Sequence, residues 1–277
     1  MQIFFGAHLE TEMSRSFITQ MYEFIDPEWE DQLRRHKLGD FASLWERRDP
    51  WFEEPNLGRS KDGWSGVCRI ACGERTVFLK KQENFYSYSL RHPLGVSLAQ
   101  REFENILLFT ERAIPTVRVL YFGVRRQNGK LQAQIMTESL DDYVSLAAVT
   151  HDWEKGSRGL EQRRELIASV AARLRDAHGK GVVHCNLYPK HIFVSAALTS
   201  AGVAPQEGAR CCFIDLERAR KVTWGGRLQL RDLETLHRKA PYWSRSDRLR
   251  FILTYLGKTS VDPEVRSFLR RLKKVMK

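Results

Sequence analysis

Apolar and polar positions follow one another along the chain in a pattern that predicts a strand-rich part and then a helix-rich part. Between residues 65 and 138, short apolar runs are separated by turn residues, and one helical pattern at about residues 99–111 interrupts them. The Asn128-Gly129 dipeptide is typical of a tight hairpin turn. The predicted strands are residues 67–71, 76–80, 117–124 and 131–137.

After residue 138 the pattern takes on the period of helices. The strongest predicted helix spans residues 160–178, where Leu166, Val170 and Leu174 form an apolar stripe. The elements predicted after it are two short strands and three helices, at residues 192–195, 211–215, 230–239, 245–256 and 263–275.

The N-terminal segment also has a helical pattern, with one helix starting at Asp26-Pro27-Glu28 and another after Asp40. We therefore expect an N-terminal helical extension (residues 1–55), a sheet-rich lobe with one helix (56–138) and a mainly helical lobe (139–277). This is an α+β fold of two lobes, and the cleft between the lobes is the expected functional site.

The composition excludes several classes of protein. Hydrophobic residues make up 42% of the 277 residues, which argues against a disordered chain, and 18 Gly with 9 Pro argue against a fibrous one. No apolar run approaches the ~20 residues that span a bilayer, and the first residues do not resemble a signal peptide. Five cysteines without a C-x-x-C pair favour reduced thiols over a zinc site or disulfides. These features lead us to expect a cytoplasmic protein.

The net charge of +11 restricts the partners rather than the fold. Basic residues are spread along the chain, and the positive charge suits nucleic acid, an anionic membrane face or a phosphorylated substrate. The basic run from Arg266 to the C-terminus is also explained by cations at the C-terminal end of a helix. No nucleic-acid-binding signature is present, so we expect no specific nucleic-acid partner.

Two groups of residues in the strand-rich part could contact phosphates. A turn over residues 61–67 contains Gly63, Ser65 and Gly66, whose backbone N–H groups could approach phosphate oxygens, although an ordinary hairpin explains the same residues. Lys80 ends an apolar strand, and a carboxylate on the following helix could hold its ammonium in place. Glu102 is the first candidate for that carboxylate, and Glu104 is the alternative.

Two further groups lie in the helix-rich part. At residues 184–191 a helix has ended and a turn presents polar residues before a buried strand. Asp215 ends a short apolar strand, a position from which a carboxylate can hold Mg²⁺ against a triphosphate. A turn residue at a strand end is the simpler interpretation of Asp215 alone.

The order of these four groups resembles that of protein kinases: a Gly-rich loop, a strand lysine, a helix glutamate, a catalytic loop and a metal-binding aspartate. The runs L-Y-P-K-H-I-F-V at residues 187–194 and F-I-D-L-E-R-A-R at 213–220 more closely resemble the bacterial lipopolysaccharide kinase family, the heptose and Kdo kinases of the InaA/WaaP group. Segments 231–236 and 246–251 are similar to its C-terminal part, so the resemblance covers about residues 65–256. No A-P-E motif follows Asp215, so a peptide substrate is not expected.

The resemblance implies a two-lobed kinase-like fold that binds ATP and Mg²⁺ and transfers the γ-phosphoryl group to a sugar hydroxyl of the lipopolysaccharide inner core. It implies that Lys80 contacts ATP phosphates, that Glu102 orients Lys80 and that Asp215 holds the metal. Met136 to Leu140 would form the hinge that receives adenine, with Glu138 supplying backbone groups. The lipopolysaccharide core is anionic and is assembled at the cytoplasmic face of the inner membrane, where a basic surface would be attracted.

The sequence departs from the kinase pattern at three positions. Asn186 stands where the catalytic aspartate is expected, and a neutral amide cannot accept a proton from an attacking hydroxyl. Cys185 replaces the loop arginine, and His191 stands at the place of a metal-binding asparagine, as it does in other members of the family. Mg²⁺ prefers oxygen ligands to imidazole.

Several interpretations therefore stay open. The chain could be a slow sugar kinase with another catalytic base, His191 or Asp232, or a pseudokinase that regulates or scaffolds by binding nucleotide or lipopolysaccharide precursor. Asn186 could instead be an introduced Asp→Asn change that traps substrate. A binding module without nucleotide and a nucleic-acid-binding protein are the other classes. The kinase interpretation requires that Lys80 and Asp215 act on the same triphosphate.

Overall fold

The computed structural model describes residues 21–57, 63–88, 95–155, 159–196, 211–222 and 226–275. The chain divides into two units. Unit 1 consists of residues 1–111 and 117–139, and unit 2 of residues 112–116 and 140–277. The mixture of sheet and helix confirms the predicted α+β class.

Unit 1 contains most of the strands. Its elements in chain order are β1 (Met21–Ile25), α1 (Glu30–Arg35), α2 (Phe41–Glu46), β2 (Trp51–Leu57), β3 (Trp64–Cys72), β4 (Arg75–Glu83), β5 (Tyr86–Ser87), β6 (Val96–Ser97), α3 (Leu98–Glu111), β7 (Val119–Gln127) and β8 (Lys130–Glu138).

Six of the described strands form one antiparallel sheet in the order β1-β7-β8-β4-β3-β2. Both predicted hairpins are confirmed, and Asn128 and Gly129 adopt the positive φ angles, 51° and 75°, that the β7–β8 turn requires. Strand β4, which carries Lys80, lies between β8 and β3. Because side chains alternate along a strand, Lys80 and Leu79 point to opposite faces of the sheet.

Each face of this sheet is covered by a helical layer. On the face of Lys80, α3 packs against the sheet, and the rings of Phe103 and Phe122 stack with centroids 4.4 Å apart. On the face of Leu79, α1 and α2 supply apolar side chains to a core cluster. The members of this cluster are Trp29, Leu33, Leu38, Leu44, Cys68, Ile70, Cys72, Val77, Leu79, Leu120, Tyr121 and Met136.

The N-terminal segment differs from the expected helical extension. Residues 21–25 and 51–57 are strands at the two edges of the sheet, where β1 pairs with β7 and β2 with β3. The predicted helix start at Asp26 is too early, because α1 begins at Glu30. The Asp26 carboxylate binds Arg118 at 2.6 Å and 2.7 Å and also accepts from the Glu28 N–H at 3.0 Å. The second predicted helix is confirmed, with the Ser43 N–H donating to Asp40 Oδ1 at 2.8 Å. Residues 1–20 lie outside the described residues.

A buried lysine on β4 connects this N-terminal segment to the sheet by hydrogen bonds. Lys81 is 3% exposed, and its Nζ donates to the carbonyl oxygens of Trp45 at 3.2 Å and Arg47 at 3.0 Å, at the C-terminal end of α2. Burial lowers the pKa of Lys81, while Cys68 and Asp49 act in the opposite direction. The ammonium thus satisfies two carbonyl groups that the short helix leaves unpaired.

Unit 2 contains most of the helices. Its elements are β9 (Tyr143–Ser145), α4 (Leu146–His151), α5 (Leu160–Gly179), β10 (Val182–Val183), β11 (Ile192–Ser195), β12 (Cys211–Phe213), β13 (Arg220–Lys221), α6 (Arg227–Lys239), α7 (Arg245–Leu256) and α8 (Pro263–Val275). The predicted helices and the two short strands of this half are confirmed within a few residues. No helix in the described part of the chain is long and apolar enough to cross a membrane.

We expect Lys81→Met to reduce the free energy of unfolding by about 1–3 kcal/mol, because the methionine fills the space but leaves the Trp45 and Arg47 carbonyls without their donor. Urea denaturation measures the change. Lys130→Met is the matched control, since this lysine pairs with Glu83 at the surface and its loss should cost about 1 kcal/mol or less. Equal losses in the two variants would contradict the assigned role of Lys81.

Candidate functional site

A buried ion pair joins Lys80 on β4 to Glu102 on α3. Lys80 Nζ lies 2.6 Å from Glu102 Oε2, and the two side chains are 20% and 9% exposed. Glu104, the alternative carboxylate, instead accepts a hydrogen bond from Gln100 Nε2 at 2.9 Å. The structure therefore selects Glu102 as the partner that positions the lysine. An exposed lysine would sample many rotamers, whereas this one is held on a paired strand by a charged acceptor.

The residues predicted for a glycine-bearing turn lie partly in strand β3. Residues 58–62 lie outside the described residues, and Gly63 directly precedes β3, which begins at Trp64. Ser65 and Gly66 therefore belong to a paired strand and not to a turn. Ser65 Oγ accepts from Gln82 Nε2 at 3.2 Å, and a Cβ at Gly66 would lie 2.7 Å from the Trp51 ring. Packing under that tryptophan explains the glycine without any ligand.

Met136 and Glu138, the two residues named for the predicted hinge, both make contacts within unit 1. The Met136 side chain is fully buried in the core cluster, on the face opposite Lys80. The Glu138 carboxylate pairs with Arg75 at 3.1 Å, and its backbone N–H donates to the carbonyl of Arg118 at 3.0 Å. The Glu138 N–H expected to meet adenine thus already has an acceptor within unit 1.

In unit 2, a loop and a strand end bring Asn186 and Asp215 together. The loop follows α5 and β10, and Asp215 follows β12 with a left-handed φ of 59°. Asn186 Nδ2 donates to Asp215 Oδ2 at 3.0 Å. The amide therefore places a hydrogen-bond donor against the predicted metal-binding carboxylate, where an aspartate would place a second negative charge.

His191 completes this cluster. Its Nδ1 lies 2.8 Å from the carbonyl oxygen of Asn186, which can only accept, so Nδ1 carries the proton. Its Nε2 lies 3.2 Å from Asp215 Oδ2. Burial lowers the pKa of His191, although the charge of Asp215 opposes the effect. In the neutral ring, Nε2 is an acceptor that faces a carboxylate oxygen. Two such acceptors fit a divalent cation, which binds imidazole nitrogen and carboxylate oxygen together.

Asp232 holds the backbone of this loop by hydrogen bonds. It is 1% exposed, and its carboxylate accepts from the backbone N–H groups of His184 at 2.7 Å and Cys185 at 2.8 Å. Oδ2 also lies 3.3 Å from Nε2 of His178. These contacts account for both oxygens, so the structure gives Asp232 a positioning role in place of the base role considered from the sequence.

Two histidines also contribute to the contacts that hold this loop, and the sequence indicated only some of these contacts. His184 also holds the backbone here, since its Nε2 contacts the carbonyl oxygen of Ile214 at 2.9 Å. The contact of His178 Nδ1 with the Tyr255 hydroxyl at 2.7 Å was missed. No local signal joins His178, Tyr255 and Asp232, because they lie on three different helices.

The family model described as "Lipopolysaccharide kinase (Kdo/WaaP) family" matches residues 42–255. The chain is 28% identical over 233 residues to lipopolysaccharide core heptose(I) kinase WaaP of Pseudomonas aeruginosa, covering 78% of this chain and 83% of the relative. It is 23% identical over 185 residues to Protein InaA of Escherichia coli K12, covering 67% of this chain and 81% of the relative.

Among solved structures, WaaP in complex with acyl carrier protein superposes with a TM-score of 0.66 at 23% identity, covering 92% of this chain and 95% of that one. The fold is thus protein-kinase-like, as the order of motifs predicted. The chain belongs to the lipopolysaccharide kinase (Kdo/WaaP) family.

We expect Asp232→Asn to destabilise the loop by about 1–3 kcal/mol, because the amide has one acceptor oxygen for two backbone N–H groups and turns its own NH₂ toward one of them. Hydrogen exchange at the His184 and Cys185 amides should become faster. Glu234→Gln on the same helix is the control and should leave this exchange unchanged. Unaltered exchange in Asp232→Asn would contradict the positioning role.

Proposed function

We propose that this chain is an ATP-dependent phosphotransferase that acts on a sugar hydroxyl of the lipopolysaccharide core. The Lys80–Glu102 ion pair carries the proposal, because it is the arrangement with which kinases hold a lysine against nucleotide phosphates. Family membership supplies the substrate class. Lys80 would attract the phosphates, and Glu102 would keep the ammonium in one position.

Asp215 and His191 are the residues that would hold a divalent ion, through Oδ2 and Nε2. Such an ion, Mg²⁺ in most kinases, would offset the negative charge of the phosphates. A nitrogen donor weakens the preference for Mg²⁺ and favours Mn²⁺ relative to an all-oxygen site.

The amide of Asn186 limits the rate of phosphoryl transfer that we expect. Its amide can orient an acceptor hydroxyl by hydrogen bonding but cannot remove the proton. General-base catalysis contributes about 10²–10⁴-fold, so turnover should be slow by this factor. Because phosphoryl transfer depends mainly on positioning and on charge stabilisation, the reaction retains its main sources of acceleration.

The alternative function is that of a pseudokinase that binds nucleotide or a lipopolysaccharide precursor without turnover. The Asn186–Asp215 hydrogen bond favours it, since the amide donor occupies one side of the carboxylate that would otherwise bind the ion. A pseudokinase that binds nucleotide would differ from the kinase only in phosphate transfer, whereas one that binds the precursor alone would also lack nucleotide binding.

The acceptor also suggests where the protein works. A lipopolysaccharide precursor is held in a membrane, so we propose that the chain acts at the cytoplasmic face of the inner membrane, with its net charge of +11 favouring anionic surroundings. An acyl carrier protein, with which the solved WaaP forms a complex, is a second candidate partner. Co-purification from cells would test it.

Incubation of the chain with Mg-ATP, or Mn-ATP, and deacylated core oligosaccharide should yield a phosphorylated sugar that mass spectrometry detects. We expect Asn186→Asp to raise the rate by about 10²–10⁴-fold, because a carboxylate can accept the hydroxyl proton. Asn128→Asp, in the exposed β7–β8 turn, is the matched control. If neither the natural chain nor Asn186→Asp transfers phosphate while both bind nucleotide, the protein is a pseudokinase.

Nucleotide binding is tested separately by thermal unfolding. Mg-ATP at about 100 times its Kd should stabilise the chain by about 2.7 kcal/mol and raise Tm by about 5 °C. Lys80→Met should reduce the shift because a phosphate-binding cation is lost, and Asp215→Ala should remove the part that depends on the divalent ion.

Lys221→Met and Asp31→Ala, which change exposed residues outside both clusters, should keep the full shift. The absence of any shift in the natural chain would overturn the kinase function and would restrict the pseudokinase function to the binding of a lipopolysaccharide precursor.

A further inference from the structure

Most of the net positive charge lies in one part of unit 2. Between residues 227 and 275 there are 13 Lys or Arg and 5 Asp or Glu, so that this segment holds a surplus of eight of the eleven net charges. The sequence analysis treated the basic residues as spread along the chain. The distribution instead assigns the charge to α6, α7 and α8.

The five carboxylates of this segment are already engaged with other groups. Asp232 accepts from the loop backbone, as described above, and Asp247 accepts from Arg163 and Ser244. The remaining ion pairs are Glu234–Arg238 at 2.5 Å, Asp262–Lys258 at 3.0 Å and Glu264–Lys258 at 2.7 Å. The cations of these ion pairs, Arg238 and Lys258, both lie outside α8.

Helix α8 separates its apolar and charged residues completely. Val265, Phe268 and Leu272 are buried, and the ring of Phe268 lies 6.0 Å from that of Tyr255. The cations all lie on the solvent-facing side, which we call the basic face: Arg266, Arg270, Arg271, Lys273 and Lys274. At 3.6 residues per turn, these five residues share the exposed arc with Ser267 and with Pro263 and Glu264 of the first turn.

Helix stability does not account for this basic face. Lys273 and Lys274 suit the C-terminal end of the dipole, but Arg266 lies in the first turn, where a cation is unfavourable. Arg266 with Arg270, and Arg270 with Lys274, are like-charge pairs four residues apart, which destabilise a helix. Arg271 lies 5.4 Å from the Phe268 ring centroid, and Arg266 reaches the Val261 carbonyl only at 3.5 Å. These contacts are too weak to explain five adjacent cations.

We propose that the basic face of α8 docks the protein on an anionic lipid bilayer. Its cations lie along one side of the helix, which suits a flat charged surface. No aromatic side chain in residues 226–275 is exposed, so the stacking platforms that bind single-stranded nucleic acids are missing from this segment. The choice of a lipid surface among polyanions rests on the proposed function, since its acceptor is a membrane lipid.

The docking would be electrostatic and without insertion, because Pro263 is the one apolar residue in the exposed arc of α8 and no large apolar side chain lies there. Lys and Arg near an anionic bilayer each contribute a similar increment of attraction, and salt screens it over about 10 Å. Binding should therefore vanish on purely zwitterionic vesicles and at high ionic strength.

The test is co-sedimentation of the full chain with phosphatidylcholine vesicles that contain phosphatidylglycerol, in the absence of nucleotide. We expect binding to these vesicles, and Arg266→Gln/Arg270→Gln/Arg271→Gln should weaken the partition coefficient about 100-fold. Arg35→Gln/Arg48→Gln/Arg126→Gln is the matched control, because it removes three exposed charges from unit 1, and it should stay within about threefold of the natural chain. Circular dichroism should show that both variants keep their helix content.

Two outcomes would overturn the proposal: no binding of the natural chain to anionic vesicles, or equal losses in the two triple variants, which would indicate net charge alone. Tight binding of duplex DNA without vesicle binding would assign the basic face to a nucleic acid instead. Vesicle binding is read without ATP or acceptor. Its failure and the failure of phosphate transfer are therefore independent results.

Discussion

The arrangement of the loop in unit 2 depends on a single buried carboxylate. Asp232 accepts two consecutive backbone N–H groups, those of His184 and Cys185, and so fixes the chain just before Asn186. Cys185 has a φ of 59°, a left-handed conformation that a residue other than glycine adopts at some cost. The hydrogen bonds from these peptide groups to the charged Asp232 carboxylate can offset that cost. The orientation of Asn186 toward Asp215, and hence the whole cluster, follows from this constraint.

The sequence predicted those features that depend on local patterns. The β3–β4 hairpin, the β7–β8 hairpin and helix α3 all follow from period and turn residues, and the pairing of Lys80 with a carboxylate of α3 follows from their order in the chain. The choice between Glu102 and Glu104 needed coordinates, because both lie on the same helix within two residues.

The errors arose where tertiary contacts override local preference. Residues 21–25 form a strand because they pair with β7, and Asp26 binds Arg118, which is 92 residues away, as well as the nearby Glu28 N–H. Gly66 resembled a loop glycine, yet it lies in a strand, where the ring of Trp51 leaves no room for a side chain. Asp232 resembled a free acid because sequence does not reveal that backbone groups 47 and 48 residues earlier use its oxygens.

The amide at position 186 has a consequence for how any catalysis would respond to acidity. A carboxylate base loses function when it is protonated and produces the acidic limb of a bell-shaped rate profile. An amide side chain has no such titration, and Asn186 therefore contributes no limb of its own. Whatever enzymatic rate this cluster supports would be low but less sensitive, at this position, to a fall in the surrounding pH.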